Sequence, residues 1–411
     1  MKILIFTASA GNGHNSAAKR IAEKFKKEQP DSQIEIVDAY KSYATKLSNW
    51  IIEKGYYFAC NHLMNVYNYF FRRKERLDPK VSDASGANKQ AYAIMPGMLK
   101  KIYDFKPDLI VCTYFFTSIA MANIKRVYNI PAKVVSMTLD YEISPFWQCA
   151  KNGVDYMFLT HDEMIKPFRE LGYNKEQLKV TGIPVSTDFF NVNNKQECRK
   201  TLGLENNMFT LLVMKASFFP VSEKVLISQL KKITKPIQVV IVNGNSKKSQ
   251  MKIEKLLGKN KLIHKVFNIG YTNKIPEYLC ACDIVLGKAG GLTTTETLAT
   301  GRPSLIINKL PQQEIYNCNY MVEKGCAIKV SYKEISTKIN QLLNDNNLYE
   351  ELLKKSQDYE CVNAVEKMYE ILKDVDKAEY NNLVVLEDNK SIIKKIDNKR
   401  KQQIRTNKNK N

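Results

Sequence analysis

The sequence predicts an α/β protein built from two doubly wound parallel sheets that face each other across a cleft. Three observations carry this. Short β-type runs alternate with helical spacings along most of the 411 residues. The alternation breaks once, at VTGIPVSTDFFNVNN (Val180–Asn194), and then restarts. Each half has a glycine loop directly after a strand, which is where open parallel sheets bind ligands.

The elements follow in order. KILIFTA is a strand running into Gly11 and Gly13, and the next segment places Ala17, Ala18, Ile21, Ala22 and Phe25 at helical spacing. QIEIVDA, DLIVCT, AKVVSMT and DYMFLT continue the first half, most of them followed by a helical segment. After the break come FTLLVMK, IQVVIVNG, LIHKVFNIG, DIVLGKAGG, PSLIINK and CAIKV. Residues 1–190 and 191–335 are expected to form the two Rossmann-like domains, 336–375 a set of closing helices, and 376–411 a basic tail, disordered beyond about residue 389.

Composition bounds the function. Formal charge is +21, and residues 390–411 alone carry nine Lys/Arg against one Asp. That points to an acidic partner, but no basic motif has base-stacking spacing, so a nucleic-acid partner is not expected. The nine cysteines form no CxxC pair and read as free thiols of a reducing compartment. The four histidines are dispersed, so neither a metal site nor a cofactor is expected. The amino-terminal apolar run is too short for a signal peptide. The longest uncharged apolar stretch, Leu109–Ile124, has 16 residues, short of the roughly 20 needed to span a bilayer. Any membrane contact is therefore peripheral, expected at the cytoplasmic face.

The stretch GKAGGLTTTETLATG carries the clearest chemistry. Gly290 and Gly291 permit a sharp turn and close approach of a ligand. Thr293 or Thr294 is placed to cap the following helix or to donate a hydroxyl. Free N–H groups at that helix start form an anion site suited to a diphosphate. Glu296, one turn in, is placed to accept from two ribose hydroxyls. After the next strand, Gln312, Gln313, Glu314 and Asn317 gather amide and carboxylate groups that suit a sugar. Together these describe a nucleotide-sugar pocket.

In the first half, Gly11 and Gly13 flank Asn12, and His14 opens the helix. A histidine there is held neutral by the helix dipole and can serve as general base. Asp140, in TLDYEISPFW, follows another strand. Its expected roles are orienting His14, holding the acceptor, or acting as base itself.

SAGNGHNSAA and GKAGGLTTTETLATGRPSLIINKLPQQEIYN resemble the processive diacylglycerol glycosyltransferases and monogalactosyldiacylglycerol synthases, relatives of the MurG-type GT-B enzymes. The G-G-(L/I)-T-x-x-E and Q-E-x-x-N elements match at Gly290, Gly291, Leu292, Thr293, Glu296, Gln313, Glu314 and Asn317. TLDYEISPFW resembles a further element at Asp140, Tyr141 and Trp147. The resemblance implies a GT-B fold and inverting, metal-free transfer of a hexose from a UDP-sugar to diacylglycerol. Three positions depart from it. Ser144 replaces a histidine, Lys215 stands in a loop that is usually glycine-rich, and Gln312 replaces a glycine.

NWIIEKGYYFACNHLMNVYNYFFRRKER (Asn49–Arg76) is aromatic-rich with a basic end. Asn61, Asn65, Asn68 and Arg72 share one helical face. Trp50, Tyr67, Phe70 and Phe71, with Arg72, Arg73 and Lys74, are expected to meet an anionic membrane surface. The departures leave two alternatives open: a different lipid or polyprenyl-linked acceptor, and a non-catalytic nucleotide-sugar-binding membrane protein, for which Lys215 is the main motive.

Overall fold

The structure is a computed structural model, which describes residues 1–9, 12–50, 55, 58–59, 62–75, 90–141, 143–215, 219–380, 391–392, 394 and 398. Two six-stranded sheets form its framework, with strand orders β2-β1-β3-β4-β5-β6 and β12-β11-β10-β7-β8-β9. Every pairing is parallel. In the first sheet the strands are β1 (Lys2–Thr7), β2 (Gln33–Asp38), β3 (Leu109–Cys112), β4 (Lys133–Met137), β5 (Tyr156–Leu159) and β6 (Leu178–Val180). In the second they are β7 (Thr210–Met214), β8 (Gln238–Val242), β9 (Lys265–Ile269), β10 (Ile284–Gly287), β11 (Ser304–Ile307) and β12 (Ala327–Val330).

Burial explains the residue choice. The inner strands β3, β8, β10 and β11 are buried at every position, and they are near-continuous Val, Ile and Leu runs because helices cover both faces. The outer strands β2 and β9 are partly exposed and carry polar residues such as Glu35 and Asn268.

Strand order fixes where ligands can go. In the first sheet the chain leaves β1 for β2 on one side and returns to β3 on the other. The order therefore reverses between β1 and β3. The second sheet reverses in the same way between β7 and β10. Such reversals open a crevice beyond the carboxyl ends of the two strands concerned. The loops there are 8–14 and 113–114 in one sheet, and 215–220 and 288–291 in the other.

One apolar cluster joins the two halves: Ile5, Val111, Met137 and Leu139 pack with Ala289, Leu298, Leu310 and Met321. The last long helix, Ala364–Leu372, returns to the first half and lies on the helix Asn12–Glu28. There Phe25 meets Tyr369 edge-on and Lys24 pairs with Glu366 at 2.5 Å.

Described residues of the tail are anchored on the first half. The Ala378 N–H donates to Asp108 at 3.0 Å, the Tyr380 hydroxyl donates to the Pro107 carbonyl at 2.9 Å, and Ile392 is buried in the first sheet's core. Polar composition hid these anchors, each of which is a single side chain or backbone group.

Candidate active site

The helix Gly291–Ala299 begins directly at the carboxyl end of β10. Its N-cap is Gly290, extended at φ −71° and ψ 141°, with no side-chain cap bond and no acid in the first turn. Neither Thr293 nor Thr294 caps it. Thr294 is buried with an unbonded hydroxyl, while Thr295 and Thr297 donate back to helix carbonyls at 2.9 and 2.7 Å. The helix start thus keeps its free N–H groups and an uncompensated positive dipole end, the arrangement that attracts anions.

Gly291 is a glycine for a reason the sequence did not reveal. A Cβ there would lie 1.8 Å from the carbonyl oxygen of Leu139, in the other half of the molecule. A Cβ on Gly13 would lie 3.3 Å from Leu292. The loops after β1 and β4 therefore converge on this one helix start. Gly11 lies outside the described residues.

His14 is half-buried in the first turn of its helix. Its Nδ1 is 2.6 Å from the Thr113 carbonyl oxygen, across the β1–β3 reversal. Because a carbonyl only accepts, Nδ1 carries the proton and Nε2 keeps its lone pair, with no partner among the described residues. Tyr114 packs edge-on against the ring at 4.8 Å. Burial pushes the imidazole pKa down to about 4, against a smaller raising effect of the Thr113 carbonyl. His14 is therefore neutral at pH 7, as a base must be.

Asp140 lies at the carboxyl end of β4. Its Oδ1 accepts from Asn317 Nδ2 at 2.9 Å, and its backbone carbonyl accepts from Thr160 at 2.8 Å. Burial raises its pKa to about 7; Asn317 opposes the rise and Glu314 adds to it.

The sugar-reading cluster divides. Asn317 is fully buried and bonded throughout. Its amide donates to Asp140 and to the Ala289 carbonyl at 2.9 Å, and its Oδ1 accepts from the Tyr141 N–H at 2.7 Å. It is a clamp between the two halves, not the exposed sugar contact expected. Glu314 pairs through Oε1 with Lys288, while its buried Oε2 has no partner. Gln312 and Gln313 accept from the helix Met64–Glu75, Gln312 from Arg72 Nε at 2.7 Å and Gln313 from the Tyr67 hydroxyl at 3.1 Å. Glu296 is half-buried, and its carboxylate has no hydrogen bond or ion pair to a described residue. Burial lifts its pKa to about 7, with Arg20 pulling the other way.

Lys215 is settled by geometry. Its ammonium is buried, 2.9 Å from Glu223 Oε1 and 2.7 Å from Ser249 Oγ. Lys252 completes the network at 2.6 Å from Glu223. In this arrangement the ammonium is paired with Glu223 and does not stand as a free cation. The Ser144 hydroxyl is buried without a partner.

In the aromatic segment, Trp50 is 51 % exposed, with Leu47, Phe58, Leu63, Val66 and Tyr69 also exposed. Tyr67 is half-buried and Arg72 is exposed, and each also donates to an acceptor on the second half. The side chains of Phe70, Phe71, Arg73 and Lys74 lie outside those described.

Sequence reasoning missed Lys288, although it sits beside the glycine pair. It also missed Thr113, which fixes the His14 tautomer. His161 escaped notice too: its Nε2 bonds the Tyr141 carbonyl at 2.9 Å and its ring lies 4.3 Å from Tyr320. No local motif marks the last two. Among the described residues, no three His, Cys, Asp or Glu side chains gather as a metal site. No described helix is long and apolar enough to cross a membrane.

Comparison with known proteins agrees with this geometry. Residues 14–185 match the family model of monogalactosyldiacylglycerol (MGDG) synthase, and residues 218–375 match the glycosyltransferase family 28 C-terminal domain. A processive diacylglycerol β-glucosyltransferase of Staphylococcus aureus (strain bovine RF122 / ET3-1) is 28 % identical over 349 residues, covering 84 % of this chain and 85 % of its own. A protein of the same name from Staphylococcus saprophyticus is 26 % identical, covering 91 % and 92 %. Among solved structures, MurG of Acinetobacter baumannii superposes with a TM-score of 0.58 at 14 % identity, covering 91 % of this chain and 99 % of its own. HepE of Anabaena, solved with UDP, gives 0.53 at 14 % identity, covering 91 % and 100 %. At such identities these structures speak for the fold alone. The chain thus joins a first half similar to monogalactosyldiacylglycerol (MGDG) synthase to a glycosyltransferase family 28 C-terminal domain, on a GT-B fold.

Proposed function

We propose that this protein transfers a hexose from a UDP-sugar to the primary hydroxyl of diacylglycerol, with inversion, at the surface of an anionic membrane. The observation that carries the reading is the pairing of an uncapped helix start at Gly291 with a neutral His14 whose Nε2 is free. Solved HepE was crystallised with UDP and with UDP-glucose, and the Staphylococcus relatives are named β-glucosyltransferases. UDP-glucose is therefore the donor to test first.

The residues take the following parts. The first-turn N–H groups of the helix Gly291–Ala299 hold the diphosphate, with Thr293 and the unbonded Thr294 hydroxyl beside it. Glu296, whose carboxylate has no hydrogen bond to a described residue, accepts from the ribose hydroxyls. Glu314 reads the sugar, exchanging Lys288 for a hydroxyl. His14 Nε2 removes the proton of the acceptor hydroxyl, whose oxygen attacks the anomeric carbon. The bond from that carbon to the β-phosphate oxygen breaks, and the charge growing on UDP is stabilised by the helix start. Asp140, held by Asn317, positions the acceptor beside His14.

The residues 1–190 form the lipid-facing domain in this reading, with the exposed Trp50, Phe58, Leu63 and Tyr69 against the bilayer. The absence of a disulfide among the described cysteines suits work from the cytoplasmic face. The buried, unpartnered Ser144 keeps one second reading open, a different lipid acceptor. Incubating the protein with labelled UDP-glucose or UDP-galactose and diacylglycerol vesicles tests the proposal. A glycolipid product is expected. Failure with every UDP-hexose, against an intact UDP titration, would remove diacylglycerol transfer and direct the search to other acceptors.

A further inference from the structure

The helix Met64–Glu75 has two unlike faces. Val66 and Tyr69 are 49 % and 59 % exposed, and Leu63 just before them is 46 % exposed. The opposite face reaches the second half of the molecule. The Tyr67 hydroxyl donates to Gln313 Oε1 at 3.1 Å, Asn68 Nδ2 donates to the Leu310 carbonyl at 3.0 Å, and Arg72 Nε donates to Gln312 Oε1 at 2.7 Å.

All three acceptors fall within Leu310–Gln313, immediately before Glu314. That turn has no side-chain cap of its own: Pro311 is the N-cap of the helix Gln312–Glu323 and makes no capping bond. Gln312 is only 4 % exposed, so its amide reaches its partner from a buried position. The turn that aims Glu314 is therefore tied to an element whose other side is apolar and uncovered. A helix of 12 residues is marginal in water by itself, and seating its apolar side removes that weakness. The sequence puts a basic run, Arg72, Arg73 and Lys74, at the end of this helix, and such a run suits an anionic lipid surface.

We propose that Tyr67, Asn68 and Arg72 are positioning residues that hold the Leu310–Gln313 turn, and through it Glu314, in the sugar-reading arrangement. They do so more firmly when their helix is seated on an anionic bilayer. Lipid contact and donor affinity are then coupled through three named bonds. This rests on the donor site proposed above.

Calorimetric titration of UDP-glucose, with and without phosphatidylglycerol vesicles, tests it without requiring transfer. Wild type should bind the donor more tightly on vesicles. Losing a hydrogen bond to a charged group weakens binding by about tenfold, so Arg72→Ala should remove most of the vesicle effect and Arg72→Lys should restore part. Asn68→Asp turns a donor toward a carbonyl into a repelled carboxylate, and Tyr67→Phe deletes one hydroxyl; both should act in the same direction while still sedimenting with vesicles. Arg72→Ala combined with Gln312→Ala should be no worse than either alone. Donor affinity that ignores vesicles in wild type, or that in the variants falls only as they detach from vesicles, overturns the coupling. Absence of any UDP-glucose binding by wild type strikes the donor site itself, so the two failures are distinguishable.

Discussion

The identity of the base can be decided by pH. The structure offers two candidates whose protonation differs sharply. Burial holds His14 down to about 4 and lifts Asp140 to about 7. A base with a pKa of about 4 is roughly 99 % free at pH 6, and one with a pKa of about 7 is only about one-tenth free. Between pH 8 and pH 6 the rate should therefore be nearly flat if His14 removes the proton, and should fall by about fivefold to tenfold if Asp140 does. The measurement is kcat/KM for diacylglycerol in vesicles from pH 5 to 9, with UDP-glucose saturating so that Glu296 is engaged by donor throughout. His14→Gln should lower turnover by about 10²–10⁴ while UDP binding persists. A steep loss from pH 8 to pH 6 that disappears in Asp140→Asn would refute the assignment and transfer the proton to Asp140.

The other expectations concern the contact between the halves. Gly291→Ala places a methyl 1.8 Å from the Leu139 oxygen; contact distances near 3.5 Å require the loop and helix to part by about 1.5 Å, and misplacement of that order lowers kcat by roughly 10²-fold. Asp140→Asn should raise Tm at pH 8 and leave it nearly unchanged at pH 4. A carboxyl whose folded pKa is raised is protonated at no cost below its unfolded pKa, and destabilises the fold as pH climbs through about 7. An equal gain at both pH values would show that charge is not the cause. Lys215→Met should lower Tm, because Glu223 loses a buried partner, yet leave UDP affinity as in wild type; a tenfold loss of affinity would return Lys215 to the phosphate site.

Much of this was legible in the sequence because its signals are local. Eleven of the strands stand out as apolar runs before turn residues. β6, with only three residues at a sheet edge, merges with the break that follows it. Gly290, Gly291 and Glu296 are legible for the same reason, as one strand–loop–helix unit. What the sequence hides is which groups meet across the chain. Asn317 and Asp140 are 177 positions apart, and nothing in either motif says that one holds the other. Tyr67 reads as one more interfacial aromatic until its hydroxyl is seen to reach Gln313. Lys215 looks like a misplaced cation because Glu223 and Ser249, which neutralise it, belong to other elements.

The contacts between the halves also bear on how a reaction cycle can run. Gly291 against Leu139, Asn317 on Asp140, and Tyr141 on Thr295 at 2.8 Å lie near carboxyl ends of strands or in the helices beyond them, and Tyr67 on Gln313 joins them from the helix Met64–Glu75. Most are neutral hydrogen bonds, each worth about 0.5–1.5 kcal/mol net. Together they add only a few kcal/mol to the apolar cluster that already joins the halves. Lys288–Glu314 is a charged pair within the second half, beside the Gly291 helix start. A diphosphate at the Gly291 helix start offers Lys288 a stronger partner and frees Glu314 for a sugar hydroxyl. Under the proposed function, donor binding would give Lys288 a phosphate partner and leave Glu314 a hydroxyl donor in place of its cation, a cost that the diphosphate's contacts with Lys288 and the helix start would offset.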